Sequence, residues 1–181
     1  MKRWSLKMNS LKITSLLSYL GESHLDSMEI LDDNRISIDG WEYLVVDEDE
    51  RWEEFKEYQR TLWDDMGLGG FTSSFAQQVI DEFLDKEKLY YLENYEFATY
   101  DEEEEEEYNI AELNGYSNFI DYVYNEVDWK EATKLIDKYD LLKFDEMCGE
   151  VAKWDGYGQS LASYDGDELE LDGGFYAYLV G

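Results

Sequence analysis

The sequence contains no proline, one cysteine and one histidine among its 181 residues. At the usual ~5% a chain of this length carries about nine prolines. Their absence leaves helices free to run without a breaker and hands the turns to Gly, Asn, Asp and Ser. The single cysteine, Cys148, excludes an intramolecular disulfide and fits a reducing cytoplasm. His24 stands in a Gly-Glu-Ser-His-Leu stretch, 124 positions from Cys148, and no motif surrounds either residue. His24 reads as a surface residue, and a Cys/His dyad or a thiolate-imidazole zinc site lacks the ligands it needs.

Long apolar runs are also missing. No segment approaches the ~20 residues of a membrane span. The N-terminus carries Lys2, Arg3, Lys7 and Lys12, but Ile13 to Leu20 is too short and polar for the core of a signal peptide. Met8 is a second candidate start, which makes residues 1–7 a flexible extension. Cytoplasmic residence is the expectation.

Positive charge is the third scarcity. There are 15 Lys and Arg against 45 Asp and Glu, a formal net charge of −30. The imbalance is patterned. Residues 89–129 hold 13 acids and no Lys or Arg, and residues 154–181 hold 6 acids and none. The cations are concentrated at the N-terminus and between Lys130 and Lys153, which together hold nine of the 15. A field of this sign repels phosphates, so direct nucleic-acid binding and anionic membranes are not expected. A basic surface is the expected partner.

What the chain does contain is enough to fold. Hydrophobic residues make up 44% and aromatics 17%, close to the globular norm and rich in large side chains. The length suits one domain, and no linker or internal repeat divides it.

The pattern predicts an α+β fold with a helical middle and a small antiparallel sheet made from N-terminal strands and a C-terminal hairpin. Ser10–Leu20 reads as an amphipathic helix stopped by Gly21. Ser27–Leu31, Arg35–Ile38 and Glu42–Val46 read as strands, with Asp39-Gly40 as a hairpin turn. Asp47–Asp65 is a helix with acids in its first turn, broken by Gly67, Gly69 and Gly70. Thr72–Leu84 follows with Phe75, Val79 and Phe83 inward, then Leu89–Phe97, Asn118–Glu126, Trp129–Tyr139 capped by Asp128, and Leu141–Trp154. Ser160–Tyr164, Glu168–Leu171 and Phe175–Val180 read as strands. Asp101–Glu107, seven acids in a row, reads as a solvated loop or as the start of a helix reaching Leu113.

No catalytic or cofactor motif emerges. With so many carboxylates, a glycosidase-type pair or a Mg²⁺ cluster is unsupported. Calcium loops begun at Asp32 or Asp165 fail the required ligand positions. Gly67-Leu-Gly-Gly70 lacks the following Gly-Lys-Ser/Thr and sits beside Asp64 and Asp65, so a helix–helix turn is the better reading than a phosphate loop. Gly156 and Gly158 read as turn residues. No enzyme, cofactor or metal is expected.

Two segments carry a resemblance. Gly40-Trp-Glu-Tyr-Leu-Val-Val-Asp-Glu-Asp49 resembles the N-terminal region of small acidic proteins encoded by phages and prophages. Asp155-Gly-Tyr-Gly-Gln-Ser-Leu-Ala-Ser-Tyr-Asp-Gly166, followed by Phe175-Tyr-Ala-Tyr178, resembles their C-terminal region. In those proteins an Arg and a His commonly stand where this chain has Tyr157 and Gln159. The resemblance implies a mobile-element origin and an infected or lysogenic bacterial host. In bulk charge the chain is also similar to the ArdA and Ocr classes of antirestriction proteins that mimic DNA, and to anti-CRISPR proteins.

The charge itself points the same way. Duplex DNA carries one charge per ~1.7 Å of axis, so 30 excess charges match roughly 50 Å of duplex. The expectation is a non-enzymatic inhibitor of a host DNA-binding defence complex, a restriction or CRISPR effector, acting by DNA mimicry. The candidate partner-binding acids are Asp47, Glu48, Asp49, Glu50, Glu53 and Glu54, then Asp101, Glu102, Glu103, Glu104, Glu105, Glu106 and Glu107, with Glu112. Plain solubility is the bland alternative. An immunity or accessory protein capping a basic nuclease or toxin is the other. Both a monomer and a homodimer stay open.

Overall fold

Asp39 and Gly40 both take positive φ, 53° and 85°, the paired left-handed geometry of a tight hairpin whose twist matches its strands. Around this turn the sequence builds a sheet. The computed structural model describes residues 2–21, 27–91, 98–101, 106–109, 122, 128–163 and 165–181, with the backbone alone at 2–8, 91, 98–101 and 106–109. The fold is α+β. The chain gathers into two compact units, Met1–Arg60 with Cys148–Gly181, and Thr61–Met147.

The first unit holds a five-stranded, wholly antiparallel sheet in the order β1-β2-β3-β7-β6. Its strands are β1 (Met28–Ile30), β2 (Arg35–Ile38), β3 (Trp41–Val46), β6 (Leu169–Leu171) and β7 (Phe175–Leu179). Register places Val45 opposite Ala177 and Leu44 opposite Tyr178. Tyr43, Val45, Phe175 and Ala177 therefore point to one face, and Leu44, Val46, Tyr176 and Tyr178 to the other. Leu44, Val45 and Val46 are all buried. This run lacks polar alternation because both sides of β3 are covered.

Helix α1 (Lys2–Leu20) covers the first face, with Leu16 and Leu17 packed on Ile36, Ile38, Val45, Leu171, Phe175 and Ala177. It begins well before Ser10, with the backbone helical from Lys2. No Gly or Pro interrupts 2–20, and Lys, Arg, Leu and Met propagate a helix well. Gly21, at φ 109°, ends it with its N–H on the Leu17 carbonyl. On the second face lies the start of α2 (Glu48–Met66), whose Arg51 stacks on Tyr176.

In the second unit the end of α2 leads through a 3-10 turn (Gly67–Gly70) to α3 (Ser73–Glu82), capped by the Thr72 hydroxyl, and to α4 (Lys86–Tyr91). Helix α5 (Trp129–Lys138) is capped by Asp128 and precedes α6 (Phe144–Asp155), whose C-terminal part returns to the first unit. Trp63 is buried here, donates to Asp137 Oδ1 at 2.8 Å, and heads an aromatic series through Phe71, Phe75 and Phe83. Leu68, Ile80, Leu84, Ile136, Leu141 and Met147 complete this core.

Two further expectations need correction. At the ends of the acidic run, Asp101 closes β4 (Ala98–Asp101), and Glu106 and Glu107 open β5 (Glu106–Asn109), which pairs antiparallel with β4; these three acids are strand residues rather than loop or helix, and 102–105 lie outside the described residues. Thr99 and the tyrosines flanking the acids favour extended backbone. Residues 160–163 are not a strand. Gly158–Leu161 forms a short helix, α7, and the Ser163 N–H then donates to the Leu179 carbonyl of β7. Leu89–Phe97 is helical as far as Tyr91, and its remainder and most of Asn118–Glu126 lie outside the described residues.

Candidate functional site

Asp47 and Glu50 fix the start of α2 by a reciprocal capping box. The Glu50 N–H donates to Asp47 Oδ1 and the Asp47 N–H to Glu50 Oε2, each at 2.9 Å. With the helix anchored, the 3.6-residue period sorts its side chains. Arg51, Phe55 and Gln59 are buried, while Asp49, Glu53 and Glu57 face outward.

That outward face forms one wall of an open groove of about 380 Å³, lined by Asn34, Asp49, Glu50, Trp52, Glu53, Glu54 and Glu57. Asn34 enters from the β1–β2 turn, where the Asp32 carboxylate accepts the N–H groups of Asn34 and Arg35. Its amide donates to Glu54 Oε1 at 3.2 Å. Lys12, only 2% exposed, reaches across from α1 to Asn34 Oδ1 at 2.7 Å and Glu50 Oε1 at 2.8 Å. Trp52 stacks on Phe55, and Lys56 Nζ lies 5.5 Å from the Trp52 ring centroid while pairing with Glu53 at 2.9 Å. Carboxylates, an amide and an indole face together suit a cationic group.

The opposite side of α2 explains the Asp155–Gly166 motif. The Arg51 guanidinium is sandwiched between the rings of Tyr157 at 4.2 Å and Tyr176 at 3.7 Å. It pairs with Glu48 at 2.5 Å and Glu168 at 3.0 Å, and Glu168 also accepts the Tyr178 hydroxyl. Gln59 donates to Ser160 Oγ at 2.9 Å, and Phe55 meets Tyr157 edge-on. Gly158 is required because a Cβ there overlaps the Gly166 carbonyl oxygen. The motif carries no Arg or Lys of its own; α2 supplies the cation. Among the described residues, Arg51 Nε and Gln59 Oε1 are buried side-chain atoms without a hydrogen-bond partner.

Electrostatics follow from these contacts. Burial pulls the Arg51 guanidinium down, but the Glu48 hydrogen bond and the Glu168 charge outweigh it and raise it. The Arg51 hydrogen bond holds Glu48 below the usual carboxylate value. Burial, then the Glu168 hydrogen bond, push the Tyr178 phenol up.

The sequence-predicted acids thus divide. Asp47, Glu48 and Glu50 serve the fold through the cap, Arg51 and Lys12, with Glu50 also lining the groove. Asp49, Glu53 and Glu54 line the groove. Asp101, Glu106 and Glu107 belong to the hairpin of the second unit, and Glu102, Glu103, Glu104, Glu105 and Glu112 lie outside the described residues, as does His24. Cys148 is buried. Sequence reasoning passed over Lys12, Asn34, Trp52 and Glu57. The recurrence of 49, 53 and 57 at helical spacing carried a signal for Glu57; Asn34 carried none, since a turn brings it in.

Among the described residues there is no group of three or more His, Cys, Asp or Glu able to hold a metal ion, and no helix is long and apolar enough to cross a membrane. Comparison with protein-family models, with curated proteins and with solved structures finds no match for this chain.

Proposed function

We propose that this protein is a non-enzymatic inhibitor that occupies the basic surface of a DNA-binding protein, with carboxylates standing in for phosphates. A host defence complex, a restriction or CRISPR effector, is the partner this reading names. The acidic face of α2 carries it. Asp49, Glu50, Glu53, Glu54 and Glu57 share one groove, and eight helical steps of 1.5 Å place them within about 12 Å, or one carboxylate per ~3 Å. A single DNA strand carries one charge per ~3.4 Å and the duplex one per ~1.7 Å. Lys12 and Lys56 pair with Glu50 and Glu53, and the chain as a whole is at net −30.

Such a surface steers a basic partner at long range and fixes register at contact. The test is capture of partners from a bacterial lysate on the immobilised protein, followed by competition with duplex DNA. Recovery of a DNA-binding complex that duplex DNA displaces is the expected result. Recovery of no such complex, or of one that DNA does not displace, sinks the reading.

A further inference from the structure

We infer that the groove on α2 is a docking subsite for an arginine side chain presented by a basic partner protein, with the Trp52 ring as its floor. The inference rests on the reading of a basic partner and adds the chemistry that partner must offer. The groove is more than a patch of charge. Its lining combines the indole of Trp52 with Asp49, Glu53, Glu54 and Glu57, and its volume of about 380 Å³ falls within the ~300–1,000 Å³ range of ligand pockets.

Complementarity selects guanidinium over ammonium. A guanidinium is planar, stacks on aromatic faces and bonds carboxylates with a fork of donors; an ammonium is a compact, strongly hydrated point charge. The chain displays this chemistry within itself, where Arg51 lies against the Tyr157 and Tyr176 rings and pairs with Glu48 and Glu168. In the groove Lys56 already approaches the indole, its Nζ 5.5 Å from the Trp52 centroid and shared with Glu53, while Phe55 stacks on the same ring. Lys56 is then an internal competitor that an incoming arginine displaces.

The test uses the full chain with oligo-arginine and oligo-lysine peptides of equal length. Affinities are measured at 0.2–0.3 M salt, roughly, where the Debye length is well under ~10 Å and the diffuse field of the molecule is screened. Trp52→Leu is expected to weaken oligo-arginine binding about 2- to 30-fold and oligo-lysine binding less. Lys56→Gln is expected to strengthen oligo-arginine binding about 2- to 5-fold, and Lys153→Gln, which removes the same charge elsewhere on the first unit, less. Unchanged oligo-arginine binding by Trp52→Leu, or Lys56→Gln no better than Lys153→Gln, overturns the inference. The two readings fail separately. A DNA-displaced partner whose affinity ignores Trp52→Leu removes the subsite and leaves mimicry; an arginine subsite in a protein that captures no DNA-binding complex does the reverse.

Discussion

Replacing Arg51 by methionine keeps an apolar stem and deletes the guanidinium that joins α2 to β7, to the residues before β6 and to the Asp155–Gly166 motif. The side chain is 9% exposed, so its loss is not repaired by water. Glu48, at 62% exposure, is solvated without it and contributes little; Glu168, at 27%, is left beside the Tyr178 hydroxyl with no cation. Breaking a buried pair costs about 3–5 kcal/mol, and two ring contacts of ~0.5–2 kcal/mol each are lost as well. We take about 3–4 kcal/mol, the lower part of the range, because Glu168 is partly wet. That is a large fraction of a typical ~5–15 kcal/mol stability. With a urea slope of ~1–3 kcal/mol/M, the midpoint falls by at least about 1 M. Urea unfolding followed by far-UV circular dichroism and by tyrosine and tryptophan emission reads it. Adding Glu168→Gln to Arg51→Met removes the orphaned charge and recovers about 1–2 kcal/mol. A loss under about 1 kcal/mol, or no recovery in the double variant, refutes the view that this guanidinium organises the first unit.

Three other outcomes are expected. The phenols of Tyr178 and Tyr157, raised first by burial, ionise more readily in the unfolded chain near pH ~10. Stability is therefore full below that pH and falls as pH rises above it, in alkaline unfolding curves; Glu48, held low by Arg51, acts oppositely, its contribution present above ~4.3 and lost as pH falls through its lower folded value. Gly158→Ala forces a methyl into the Gly166 carbonyl and lowers stability by at least about 1–3 kcal/mol, seen as a fall in thermal midpoint. Asp128→Ala costs about 1 kcal/mol in the second unit and Thr72→Ala less, because their capping bonds measure 2.9 Å and 3.4 Å; equal losses in denaturant titrations contradict that order.

The strands around Asp39-Gly40, the cap at Asp128 and the helix of Asp47–Asp65 are all readable from the sequence, because each rests on local chemistry within a few residues. The helix α1 starts at Lys2 rather than at Ser10, because nothing in residues 2–9 opposes a helix. Ser160–Tyr164 was misread because β-like composition near a glycine turn lost to tertiary contacts of Ser160 with Gln59 and burial of Leu161. The groove was half legible. Its carboxylates follow helical spacing, but Asn34 and Lys12 arrive over 20 and 38 positions of chain, to Glu54 and Glu50. No local pattern encodes contacts of that separation. Sequence reasoning also counts Asp47, Glu48 and Glu50 as surface for a partner, whereas they are occupied with holding α2 in place.

The position of β7 in the sheet has a consequence for how the molecule is made. β3 lies at the sheet's middle, yet its neighbour β7 is encoded about 130 residues later, and β6 also waits for β7. Until Leu179 has been synthesised, β3 has only β2 beside it, and its Leu44-Val45-Val46 run presents an open edge. At ~5–20 residues per second the gap between Val46 and Leu179 lasts roughly 7–27 s. During that interval the N-terminal strands are the segment most open to wrong pairing, and chains stalled before β7 should show β3 cleaved by protease where full-length chains are protected. Completion of the sheet is thus a late, single event that closes the first unit around residues emerging at both ends of its sequence.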